Sequence, residues 1–109
     1  MSKFQKVKIG GQELAIKFGF SALSIFEKDT GEAVASISKY GDKLPVHIAI
    51  SLIYAGLKDG ARSAKSEFKL TKEDIGDLLD EDIDGLTRVL KIFGDMIGKN
   101  TKKKIKTIK

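Results

Sequence analysis

The chain has 109 residues, 41% apolar and 32% charged, with one histidine and no cysteine. These figures fit one folded domain and exclude disulfides, thiolate metal sites and a cysteine nucleophile. The formal net charge is +5, but Lys99, Lys102, Lys103, Lys104, Lys106 and Lys109 contribute +6 with no acid among them, so residues 1–98 stand at −1. A nearly neutral fold with a basic tail argues against a DNA-reading face, which would carry its basic residues on the fold itself.

Met1-Ser2-Lys3-Phe4-Gln5-Lys6 lacks the apolar core of a signal peptide. The longest apolar stretch, 45–57, contains His47 and Ser51 and falls well short of the roughly 20 residues that a membrane-spanning helix needs. No membrane span is expected. A domain of this size buries only about 60–70% of its unfolded surface, so self-association would add useful stability.

In chain order, Val7-Lys8-Ile9 and Leu14-Ala15-Ile16-Lys17-Phe18 alternate around Gly10-Gly11-Gln12, the pattern of a β-hairpin whose glycines supply positive φ. Gly19 breaks the alternation. Ser21 is the expected cap of a first helix over 22–29, with Leu23, Ile25 and Phe26 inward and Gly31 as its stop. Val34, Ile37 and Tyr40 mark a second short helix over 32–40, closed by Gly41.

Pro45 suits the start of a helix, and from Val46 to Leu57 only His47, Ser51 and Gly56 are not apolar. A helix that is apolar nearly all round is central. One side of it, marked by Leu52, Tyr54 and Leu57, is expected to serve a partner or a second copy as well as the core. Residues 58–69 are polar and contain glycine, and read as a loop.

Thr71-Lys72-Glu73-Asp74 has the form of a capping box opening a helix with Ile75, Leu78 and Leu79 inward. Ile83, Leu86, Val89, Leu90, Phe93 and Ile97 then recur at helical spacing in a last helix that Gly98 and Asn100 end. The expected architecture is α+β, mostly α: an N-terminal β-hairpin and a compact bundle of about four to five short helices over 1–98. A flexible Lys-rich C-terminal tail occupies 99–109.

Candidate chemistry is thin. Asp80-Glu81-Asp82-Ile83-Asp84-Gly85 opens like a calcium loop, but its twelfth position is Lys91 where a bidentate Glu is needed, and Leu86, Val89 and Leu90 continue a helical face. His47 has no second nitrogen or sulfur ligand, and no serine lies in an activated elbow. Gly10-Gly11 and the segment 58–62 lack phosphate-loop spacing. No catalytic residue, metal or cofactor is therefore assigned. The lysines could neutralise phosphates or meet an acidic protein surface, but no aromatic interleaves them for base stacking.

The order of motifs resembles the tail assembly chaperones of long-tailed (siphovirus-type) bacteriophages and prophages. The likeness covers most of residues 4–97. It rests on Phe18-Gly19-Phe20-Ser21-Ala22-Leu23, Phe26-Glu27-Lys28-Asp29-Thr30-Gly31, Leu52-Ile53-Tyr54-Ala55-Gly56-Leu57-Lys58 and the segment from Leu70-Thr71-Lys72-Glu73-Asp74-Ile75 to Asp80. The resemblance implies a cofactor-free, non-enzymatic morphogenesis factor in the cytoplasm of the bacterial host, absent from the mature virion. It would bind the tape measure protein, keep it soluble, help recruit the tail tube protein and self-associate, with Leu52, Tyr54, Leu57, Lys102, Lys103 and Lys104 as candidate contacts. The family often makes a frameshifted longer form, and Lys102-Lys103-Lys104 is a candidate for an A-rich slippery run. Two alternatives from other classes are a small accessory nucleic-acid-binding protein using the Lys-rich tail and a structural tail subunit.

Overall fold

The computed structural model describes the backbone of residues 4–108 and the side chains of residues 4–97 apart from residue 42. The fold is α+β and mostly α. Strands β1 (Gln5–Ile9) and β2 (Gln12–Ile16) are followed by helices α1 (Phe20–Thr30), α2 (Ile37–Tyr40), α3 (Val46–Ser63), α4 (Lys72–Glu81) and α5 (Asp84–Ile108). Single 3-10 turns at Val34–Ser36 and Gly41–Lys43 flank α2.

Gly10 and Gly11 have φ of 58° and 81°, which lets a two-residue turn match the strand twist. Ile9 pairs with Gln12 and Gln5 with Ile16, so Val7, Ile9, Leu14 and Ile16 share one face. That face packs on α3 and α5. Both strand edges are engaged: the Lys17 N–H donates to the Gly56 carbonyl at 3.0 Å, and Arg88 Nη1 donates to the Lys8 carbonyl at 2.8 Å. Each contact satisfies one backbone group at or just beyond the edges that a two-stranded sheet leaves open.

Helix α3 is the centre of the domain, touched by α1, α4 and β2. Ile48, Leu52, Ile53, Ala55 and Leu57 are all buried in it. The chain 58–63, expected as loop, continues this helix, and Ala64 forms its C-cap. The reason is tertiary. Gly60 lies against the backbone of Ala15 and Ile16, where any Cβ would collide, and Gly56 leaves room for Phe18, whose ring lies 2.6 Å from where a Cβ would stand. The two glycines, one turn apart, form the trough that receives β2. Phe18 in turn meets Phe93 of α5 edge-on, with centroids 5.2 Å apart.

Asp59, one residue earlier, is buried; its Oδ1 accepts from Arg62 Nη2 at 2.7 Å, and its Oδ2 faces Gly19 at the start of α1. Helix α1 begins at Phe20 with Gly19 as its N-cap and has no acid in its first turn. Ser21, expected to cap it, instead accepts from Arg62 Nη2 at 3.1 Å. Asp59 thus supplies from another helix the negative charge that an N-terminus favours.

Thr71 and Asp74 form the expected reciprocal capping box, at 3.1 and 2.9 Å. The segment 32–40 is a 3-10 turn joined to a short α-helix rather than one helix. It is closed by the Tyr40 hydroxyl donating to Glu32 Oε1 and Oε2 at 2.7 and 2.9 Å. Helical backbone in α5 runs past Gly98 and Asn100, expected to end it, as far as Ile108. The flexible tail expected over 99–109, Lys102, Lys103 and Lys104 included, falls outside the described side chains.

Candidate partner-binding groove

Helices α3, α4 and α5 do not close against one another at the end where α3 begins. They leave an apolar groove of about 490 Å³. Val46, Ala49 and Ile50 line it from α3, Gly76 and Leu79 from α4, and Leu86 and Leu90 from α5, while Leu44 and Ile83 stand on the connecting segments. The spacing explains the geometry. Ile75, Leu78 and Leu79 of α4 are buried, and Gly85, Val89 and Phe93 of α5, at i, i+4 and i+8, turn inward. Leu86 and Leu90 stand one position further round α5, half-buried, and line the groove.

Two large apolar side chains on the rim are largely open to solvent, Val46 at 72% and Ile83 at 68%. Among the described residues, Asp80 is the one charged residue in the lining. Asp77, Glu81 and Asp84, near it in sequence, are exposed but do not line the groove, and none of these four acids makes an ion pair among the described residues. The groove continues past Ile50 and Gly76 into a more open cleft of about 500 Å³, lined by His47, Ser51, Lys72 and Glu73 of α3 and α4 and by Asp29 and Thr30 of α1.

Of the residues expected to meet a partner, Leu52, Tyr54 and Leu57 do not line this groove. Leu52 at 0% and Leu57 at 1% exposure are core side chains, because they sit on the faces of α3 that β2, α1 and α4 cover; neither can reach a partner while the domain is folded. Tyr54 is half-buried, stacked edge-on against Phe68 at 5.4 Å and flanked by the ammonium groups of Lys58 and Lys72 at 5.8 and 5.7 Å from its ring. It lies away from the groove. Val46 and Ile83, with half-buried Leu86 and Leu90 beside them, give the groove its apolar surface. Ile83 carried a signal in the sequence, a lone large apolar residue between Asp82 and Asp84, but it also fitted the helical period of α5 and so read as core.

The acidic junction is occupied by the fold's own groups. Asp82 Oδ2 accepts from the Gly10 N–H at 3.1 Å and from Arg88 Nη1 at 2.9 Å. The Arg88 hydrogen bond first, then the Gly10 N–H, holds the Asp82 carboxyl below the usual carboxylate range. Among the described residues no group of three or more His, Cys, Asp or Glu side chains is placed to hold a metal ion. No helix there is long and apolar enough to cross a membrane. Comparison with protein-family models, with curated proteins and with solved structures gives no match.

Proposed function

We propose that the chain is a tail assembly chaperone of a long-tailed bacteriophage or prophage, acting by binding and without chemistry of its own. Its work is to cover apolar stripes on the long helical tape measure protein while the tail is assembled, and to help recruit tail tube subunits. The observation that supports this most is the open groove between α3, α4 and α5, with Val46 and Ile83 exposed on its rim. A groove of this form suits the apolar face of an amphipathic helix, read at i, i+3, i+4 and i+7. The motif order from Phe18 to Asp80 supports the family reading, and the groove offers a physical means for such an activity. On this reading the protein works in the host cytoplasm and is missing from the finished particle.

The test is solubilisation. A tape measure fragment from the same phage, prone to aggregate alone, should stay in solution with the purified chain and co-elute with it. Light scattering that rises equally with and without the chain would sink the proposal. Mass spectrometry of purified particles separates a chaperone, which should be absent, from a structural subunit. A salt titration with DNA separates it from a nucleic-acid-binding protein, whose affinity should be strong at low salt and fall steeply.

A further inference from the structure

The two long walls of the groove belong to elements that are held in different ways. Val46, Ala49 and Ile50 stand on α3, the centre of the fold, whereas Leu86 and Leu90 stand on α5. Among the described residues α5 packs chiefly on β1 and more sparsely on α4. Its link to α4 is short. Helix α4 ends at Glu81, α5 begins at Asp84, and Asp82 between them has φ −153° and ψ 78°, outside the helical region. A few residues at the end of an element can absorb a change in helix direction. The other residue of the link is Ile83, exposed on the groove rim, so a turn of α5 carries Ile83, Leu86 and Leu90 together.

The tip of the hairpin spans this link. Gly10 donates its N–H to Asp82 Oδ2 at 3.1 Å, and a Cβ on Gly10 would stand 3.3 Å from the Leu78 Cα of α4. Ile9 is fully buried against Gly85 in the first turn of α5, its Cγ2 lying 2.9 Å from where a Cβ would stand. One position short of a further turn, Arg88 donates from Nη1 to the Lys8 carbonyl at 2.8 Å and to Asp82 Oδ2 at 2.9 Å. Lys8, Ile9 and Gly10 thus hold the end of α4, the link and the start of α5 at once. Neither they nor Asp82 and Arg88 line the groove.

We propose that the hairpin tip, acting through Asp82 and Arg88, is a clamp that sets how far α5 stands from α3 and so how wide the groove opens. Asp82 and Arg88 are positioning residues, and releasing them lets α5 turn away from α3 about the link. The clamp itself follows from the geometry of the fold. Its effect on capture rests on the chaperone reading, because a groove already held at one width receives a partner helix without first having to be ordered.

The chain has no cysteine, so spin labels can be placed on the full-length protein at His47→Cys in α3 and Lys91→Cys in α5, both exposed positions. Double electron–electron resonance then reads the distance between them, which should be one narrow distribution. Arg88→Ala and Asp82→Asn should shift it to longer values and broaden it, with circular dichroism establishing that each fold is kept. Arg88→Ala takes away only an exposed side chain and is the milder of the two. Arg62→Ala weakens the fold through Asp59, away from the groove, and should leave the distribution in place, which separates positioning from general loss of stability. Capture of a tape measure fragment should fall on the order of tenfold in the two clamp variants and stay unchanged in Arg62→Ala. Distances unchanged in the folded clamp variants, or moved as far by Arg62→Ala, overturn the clamp. Shifted distances with undiminished capture overturn its part in binding. A natural chain that captures no fragment sinks the chaperone reading instead, and the distances still decide the clamp.

Discussion

The Gly10 N–H donates to Asp82 Oδ2 at 3.1 Å across 72 positions of sequence, and Arg88 donates to the same oxygen at 2.9 Å. One carboxylate therefore ties the hairpin turn to the junction of α4 and α5, at the foot of the groove. Asp82 is also the C-cap residue of α4, with φ −153°, so the bend that sets α5 at its angle is held by charge.

This relationship gives the fold an acid limb. Because its folded-state pKa lies below the ordinary value, Asp82 contributes stability that is fully present above the unfolded carboxylate pKa and is lost as pH falls through the folded one. Asp82→Asn should lower Tm at neutral pH and flatten the fall in Tm on acidification. Thermal melts of both chains across the acid range check this; parallel curves would show that Asp82 is not the group responsible.

The close approach of Gly60 to Ala15 predicts a steric effect. Gly60→Ala would favour an isolated helix, yet here its methyl group meets the β2 backbone. The hairpin must move off α3, at a cost of about 2–3 kcal/mol, which for a domain of this size is a fall in Tm of roughly 10 °C or more. An unchanged or raised Tm would mean that the trough is looser than the structure has it.

These cases show what the sequence made legible. The Gly10-Gly11 turn and the Thr71 and Asp74 capping box depend on neighbours a few residues away, so their residue types announce them. Residues 58–63 did not announce themselves as helix, since Lys58, Asp59 and Gly60 have the composition of a loop and their helical role lies in contacts with β2 and α1. Leu52 and Leu57, expected on a partner-facing side, lie in the core for a related reason. A helix apolar on nearly every side gives no indication of which side is left uncovered, and Leu52 and Val46 are distinguished only by what the rest of the chain packs against.

Buried Asp59 predicts an asymmetry around Arg62. Arg62→Ala leaves Oδ1 of a buried carboxylate without its partner and should destabilise the fold by about 1–3 kcal/mol. Arg62→Lys should restore only part of this, because the shorter lysine side chain does not reach as far as Nη2, the one nitrogen that meets both Asp59 and Ser21. Urea unfolding of the three chains measures the differences, and equal midpoints for all of them would remove Arg62 from the account.

The sharpest contrast lies on α3 itself. Leu52 and Val46 are six residues apart on one helix, the first at 0% exposure in the core and the second at 72% on the groove rim. Leu52→Glu forces a charge into apolar surroundings and should cost more than about 4 kcal/mol, enough to unfold a domain of ordinary stability. Val46→Glu keeps its charge in water and should leave the far-UV circular dichroism and Tm nearly unchanged. If the groove is where a partner helix is held, Val46→Glu and Ile83→Glu should nevertheless reduce capture of a tape measure fragment, since each places a carboxylate where an apolar stripe must lie. Tyr54→Glu, away from the groove, should leave capture intact provided the chain stays folded. Folded Val46→Glu and Ile83→Glu chains that capture the fragment as well as the natural chain would move the binding surface away from this groove, and loss of capture in these two alone would place it there.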